Sequence, residues 1–192
     1  MSIKRDVCGR LLKTHLSKDA LVVAGLGSSG RTWRAQQASQ PSYYVSDPMG
    51  VGVSMSLGLA LARPKQEILY VGGDGDLVMN LGSLLTVVGA NVRNLKIAIF
   101  DNRRYETGGG APLPGSAHYS LAALAQGAGF PFAVEVANEA ELDGVVRQFY
   151  AQNGLAFLAL RIEMEASPYG PPPTWSQAED RAVFMRQLAG EI

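Results

Sequence analysis

The chain has 192 residues, 47% of them hydrophobic, which suffices for one well-buried core and is too little for two full domains. Its 17 Lys and Arg balance 17 Asp and Glu, so charge argues against nucleic acid or an anionic membrane surface as the main partner and leaves small molecules and other proteins. The single cysteine, Cys8, cannot form an internal disulfide, an iron–sulfur cluster or a thiolate-rich zinc site. Without a signal-like apolar start or an uncharged span of membrane length, the expectation is a soluble, cytoplasmic chain.

Val7, Leu11, Leu12 and Leu16 recur at helical spacing, and residues 20–24 (ALVVA) form the short apolar run of a buried strand, followed at once by glycines. The alternation repeats, with strands predicted over 43–45 and 67–71 and helices over 50–62, closed by Pro64, and 77–88. Residues 95–100 (LKIAIF) read as a strand. A helix at 120–128, a strand at 132–136, a helix at 139–150 and a strand at 155–162 continue the array. Strand–helix alternation of this kind predicts an α/β domain, a doubly wound and mainly parallel sheet with helices on both faces and ligands held beyond the carboxyl ends of its strands. Residues 107–117 and 166–174 are too rich in Gly and Pro for regular structure. The first is a candidate active-site loop and the second a stiff connector to a last helix, with Thr174 or Ser176 as N-cap and Val183, Phe184 and Leu188 as its apolar face. The expected organisation is one domain over residues 1–165, with 166–192 a Pro-rich connector and C-terminal helix packed upon it.

Chemistry concentrates where the strand at 67–71 runs into Gly72-Gly73-Asp74-Gly75-Asp76 and the strand at 95–100 runs into Asp101-Asn102. A carboxylate at one strand end can meet an amide at the next. One Asp, one Asn oxygen and one backbone carbonyl would leave a magnesium ion room for two phosphate oxygens and a water. The glycines flanking Asp74 let the backbone approach a phosphate, whose charge suits the free N–H groups of a helix start. Read alone, Gly73-Asp74-Gly75 also suits an ordinary turn. Gly25-Leu-Gly27-Ser-Ser-Gly30 after the first strand fits the G-x-G-x-x-G pattern of a dinucleotide site, with Asp47 about where a ribose-binding acid belongs, so an NAD(P)-dependent oxidoreductase is the alternative from a different class. A non-catalytic regulatory subunit that keeps the fold is a third reading.

Gly73-Asp74-Gly75, a helix, a strand and then Asn102 resembles the thiamine-diphosphate signature. The surrounding residues 72–83 and 101–109, with Ser46-Asp-Pro-Met-Gly-Val51, are similar to the small subunits of sulfopyruvate decarboxylase and to the C-terminal part of phosphonopyruvate decarboxylase. The resemblance covers residues 19–162. It implies thiamine diphosphate and Mg2+ as cofactors, with Asp74 and Asn102 as side-chain metal ligands and Arg104 supplying its carbonyl. It implies cofactor contacts from Gly27, Ser28, Met49, Gly73, Gly75, Asp76, Leu77, Asn102 and Tyr105. Met49 would prop the pyrimidine over the thiazolium, and the glycine turn at 27–31 would face the aminopyrimidine. Glu106 and His118 are the catalytic candidates beside Met49, and Arg31 or Arg104 would hold an anionic substrate tail.

The same resemblance implies a missing half. The glutamate that activates the pyrimidine belongs to another domain in this family, so a separate pyrimidine-binding subunit is expected, in a heteromeric 2-oxo acid decarboxylase that is inactive as this chain alone. Two departures stand out. Gly108 lies near the place where single-chain pyruvate decarboxylases carry a site glutamate, and Asp47-Pro48 precede Met49.

Overall fold

The computed structural model describes residues 3–165 and 176–191. In chain order these residues form α1 (Arg5–His15), β1 (Leu21–Ala24), α2 (Ser28–Ala35), β2 (Ser42–Tyr44), α3 (Gly52–Ala62), β3 (Ile68–Gly73), α4 (Asp74–Val78), α5 (Ser83–Gly89) and β4 (Leu95–Asp101). A small hairpin of β5 (Arg104–Tyr105) and β6 (Ala111–Pro112) follows, then α6 (Leu121–Ala128), β7 (Phe132–Val136), α7 (Glu139–Tyr150), β8 (Ala156–Arg161) and α8 (Gln177–Ala189). The main sheet has the order β2-β1-β3-β4-β8-β7, and every pairing in it is parallel.

Both faces of the sheet are covered, which is why its strands read as near-continuous apolar runs. Val23, Tyr70, Ile97, Ile99 and Phe157 point to the side packed by α3, α5 and α6. Their neighbours Val22, Val71, Ala98, Phe100 and Leu158 point to the side packed by α1, α2 and α7. Successive residues facing opposite ways is the period of a strand. No helix among the described residues is long and apolar enough to cross a membrane. Cys8 is fully buried in the second cluster, and burial pushes its thiol pKa up.

The doubly wound α/β expectation holds, with local corrections. Residues 28–35, where the sequence showed only a glycine turn, form α2. Gly27 in a left-handed conformation precedes that helix, and Trp33, with no exposed surface and its Nε1 donating to Ser42 Oγ at 3.0 Å, anchors it. The helix expected over 77–88 is two helices, and the first starts at Asp74 itself. Asn80 and Gly82 are weak helix formers, and Asn80 Nδ2 is drawn sideways to the Gly50 carbonyl at 3.0 Å. The 107–117 loop holds a turn of 3-10 helix and β6, because left-handed Gly109 and Gly110 fold Ala111–Pro112 back antiparallel onto Arg104–Tyr105. On α1 the fully buried positions are Arg5, Cys8, Gly9 and Leu12, with Val7 and Leu11 only half-buried.

Ser176 caps α8 through a reciprocal box with Glu179. Phe184 meets the Tyr43 ring edge-on at 5.7 Å, and Asp180 pairs with Arg34 at 2.8 Å, so the helix lies along β2 at the edge of the sheet. Val183 is exposed and Leu188 half-buried. The expected connector at 166–174, with Thr174, lies outside the described residues.

Candidate active site

The chain order of the strands reverses beside β1, which has β2 on one side and β3 on the other. Ligand clefts form beyond the carboxyl ends of strands at such a switch point. Here a cleft opens, and the ends of β1, β3 and β4 line it.

After β1 the backbone turns sharply into α2. Gly27 has φ +69, and a Cβ there would meet Thr107 Cγ2 at 2.9 Å, while a Cβ on Gly30 would lie 2.4 Å from the Gly25 carbonyl oxygen. These glycines are demanded by the turn itself. Asp47, the acid a dinucleotide ribose would need, is exposed and lines neither this cleft nor the neighbouring groove along α2 and α8. That groove, not the cleft, holds Arg31.

After β3 the chain enters α4 directly at Asp74, a residue only 4% exposed. Its Oδ1 accepts the Gly75 N–H at 2.8 Å, and its Oδ2 accepts the Arg103 N–H at 2.5 Å. Burial, and then the Asp101 carboxylate beside it, push the Asp74 carboxyl up to about 7, as expected of a buried acid with a like-charged neighbour. Asp101 is pushed up as well, chiefly by burial, and lies within reach of Arg161 at 3.2 Å. A buried pair of acids of this kind suits a site that receives a cation.

Asp76, two residues on, is engaged inside the protein. Tyr70 donates its hydroxyl to Oδ2, and the Gly50 N–H reaches Oδ1 at 2.6 Å. The Tyr70 ring fits because Gly52 and Gly72 leave room for it: a Cβ on either would lie 2.3 Å from the ring or its hydroxyl. Asp76 therefore ties down the segment that carries Met49, which lines the cleft.

After β4, Asn102 projects into the cleft with Oδ1 accepting the Arg104 N–H at 2.9 Å and Nδ2 donating to Glu106 Oε2 at 2.8 Å. Glu106 Oε1 accepts from Ser28 Oγ at 2.7 Å and from Arg5 Nη1 at 3.2 Å, and Oε2 also accepts from Arg5 Nη2. Arg5 reaches in from α1 and is 2% exposed. Tyr105 packs over Gly75, where a Cβ would come within 2.8 Å of its ring.

Gly27, Ser28, Met49, Gly73, Asp74, Gly75, Asp76, Asn102, Arg104, Tyr105 and Glu106 thus share one cleft. Leu77 and His118 do not line it. Leu77 is 2% exposed and turns into the core on the α3 side of the sheet, and His118 is exposed on the turn after β6. Sequence reading missed Arg5 as a lining residue and Tyr70 beneath the cleft, while Ser29 and Thr107 line it as members of the glycine turn and the 107–117 loop expected there. No three His, Cys, Asp or Glu among the described residues converge as a metal-binding group. The oxygens on offer are one carboxylate, one carboxamide and backbone carbonyls. That set fits Mg2+ sharing its remaining positions with phosphate and water, and the bare backbone at Gly27, Gly73 and Gly75 makes a cradle that a Cβ would fill.

Residues 25–160 match the family of the thiamine pyrophosphate enzyme, C-terminal TPP binding domain. The chain is 36% identical over 96 residues to the sulfopyruvate decarboxylase subunit beta of Methanothermobacter thermautotrophicus, covering 50% of this chain and 51% of that one. It is 34% identical over 119 residues to the phosphonopyruvate decarboxylase of Streptomyces viridochromogenes, covering 62% of this chain and 30% of that one. Among solved structures, the benzoylformate decarboxylase from Polynucleobacter necessarius superposes with a TM-score of 0.74 at 19% identity, over 90% of this chain and 35% of that one. The chain therefore spans about half the length of the first of these relatives and about a third of the other two. Fold, cleft and family agree, and the chain belongs to the thiamine pyrophosphate enzymes as a C-terminal TPP binding domain.

Proposed function

We propose that this chain binds thiamine diphosphate through Mg2+ and is the cofactor-holding subunit of a heteromeric, cytoplasmic 2-oxo acid decarboxylase of the sulfopyruvate or phosphonopyruvate type. Residues 1–165 would form the cofactor domain, with the C-terminal helix an appendage of it. The observation that carries this reading is the convergence in one cleft of Gly27, Asp74 and Asn102, from the ends of three different strands, with Met49 from the segment before α3.

Thiamine diphosphate, when bound, supplies the electron sink that lets a 2-oxo acid lose carbon dioxide. The chain's own residues hold and orient it. The Asp74 carboxylate, the Asn102 carboxamide oxygen and the Arg104 carbonyl would hold the metal, and the Gly73 and Gly75 backbone would lie against the diphosphate. Met49 would prop the cofactor from below, on a segment fixed by Asp76 and Tyr70. The Arg104 guanidinium, whose Nη1 donates to the Gly110 carbonyl at 2.9 Å, stands at the cleft for a second anionic group on the substrate. Glu106 accepts hydrogen bonds from three side chains and is suited to orienting its neighbours rather than moving a proton.

Two features support a partner chain. Each carboxylate lining the cleft is engaged: Asp74 by backbone N–H groups, Asp76 by Tyr70 and Gly50, and Glu106 by Arg5, Ser28 and Asn102. None is free to activate a pyrimidine. Helix α3 carries no charged residue, and Leu61 near its end, Met79 after α4 and Leu85 on α5 are each more than half exposed, which suits contact with another chain.

The test is to reconstitute the chain with candidate pyrimidine-binding subunits and follow carbon dioxide release from sulfopyruvate, phosphonopyruvate and pyruvate with thiamine diphosphate and Mg2+. Turnover by the pair and not by either chain alone is the expected result. Turnover by this chain alone would contradict the need for a partner, and no release from any of the three acids by an assembled pair would contradict the decarboxylase reading.

A further inference from the structure

Arg5 belongs to none of the roles assigned so far, yet it is an almost fully buried cation at the wall of the cleft, at the start of α1. A buried guanidinium is stable only where a carboxylate answers it, and here both terminal nitrogens lie on Glu106. Glu106 in turn receives the Asn102 Nδ2 group.

We propose that Arg5 and Glu106 are positioning residues that fix the orientation of the Asn102 carboxamide, so that its oxygen and not its nitrogen faces the metal. This rests on the reading of Asn102 as a metal ligand. A carboxamide fits a site almost equally well in two orientations, which exchange a donor group for an acceptor. With Nδ2 on Glu106 at 2.8 Å, Oδ1 is left on the side of the Arg104 N–H, at 2.9 Å, with a second lone pair for a cation. The opposite orientation would set Oδ1 against the Glu106 carboxylate and a nitrogen against the metal. The carboxylate can enforce the choice only if it cannot turn. A two-point guanidinium hold from Arg5, with the Ser28 hydroxyl on Oε1 at 2.7 Å, removes that freedom. Outer groups that orient a ligand typically matter about 10- to 100-fold for metal affinity.

The test is calorimetric titration of Mg2+ into the full chain at saturating thiamine diphosphate, for wild type, E106A, N102D and the double variant. Thermal unfolding without metal serves as the fold control. E106A is expected to weaken Mg2+ about 10- to 100-fold in the Asn102 background. In the N102D background it is expected to cost nothing or to tighten binding, because a carboxylate has two like oxygens to present and the change removes a like-charged neighbour. Glu106→Gln, which keeps the volume but offers the amide no charged acceptor, covers the case in which E106A does not fold and is expected to show the same pattern. R5K, keeping the charge without the two-point hold, is expected to fall between wild type and E106A. Equal weakening in both backgrounds, or none in either, overturns the proposal. A wild-type chain that binds no Mg2+ with the cofactor overturns instead the reading of Asp74 and Asn102 on which it stands.

Discussion

After β1 the chain turns through Gly25, Gly27 and Gly30 into α2, and after β3 it turns through Gly72, Gly73 and Gly75 into α4. The same type of turn serves different ends. In the first, the backbone sets the limit: Gly27 needs a positive φ, with the Thr107 side chain beside it, and Gly30 lies against the Gly25 carbonyl. In the second, glycine makes room for side chains, with the Tyr70 ring against Gly72 and Tyr105 over Gly75. Either side of Gly75 stand two acids with separate duties, Asp74 at the cleft and Asp76 tied to Tyr70 and Gly50. A glycine pattern therefore reports close approach, while the acids and the amide around it report what is approached. That is why residues 25–30 resemble a dinucleotide turn while Asp47, the acid such a site would need, stands apart from the cleft.

The contrast can be broken by placing a Cβ in the first turn. In Gly30→Ala the new carbon must displace a backbone carbonyl 2.4 Å away, and the expected loss is about 3 kcal/mol of stability in urea unfolding. In Gly73→Ala the nearest atom is Ser29 Oγ at 3.2 Å, so the expected change is under about 1 kcal/mol. Equal losses would mean that the two turns are constrained alike. A finer probe is Tyr70→Phe, which leaves Asp76 Oδ2 buried without its donor and is expected to cost about 1–3 kcal/mol. No loss would show that Asp76 is not held through that hydroxyl.

Much of the architecture was legible because buried parallel strands are written as apolar runs, as in residues 95–100, and because each is followed by a helical period. The core of the site was legible because Asp74 and Asn102 lie in local motifs at strand ends. What was not legible depends on distant contacts. SSGRTWRA has no helical apolar period, so α2 is held by Trp33 and the Gly27 turn and not by pattern. Asp76 was expected against the diphosphate and does line the cleft, but nothing local shows that its carboxylate also meets Tyr70 on the preceding strand and Gly50 from before α3. Arg5 reaches Glu106 across 101 residues. One signal for it was present: it stands three and seven positions before Cys8 and Leu12, on the face of α1 that is buried, and a cation on such a face calls for a partner.

The most direct measurement is calorimetric titration of the full chain with thiamine diphosphate in the presence and absence of Mg2+, for wild type and Asp74→Asn, with circular dichroism to establish that both are folded. Expected is binding by the wild type that depends on the metal and falls by about 100-fold or more in the variant, as the loss of a carboxylate ligand to a hard cation requires. Metal-independent binding, or equal binding by a folded Asp74→Asn chain, would contradict the assignment of the β3–β4 strand ends as the cofactor's metal site.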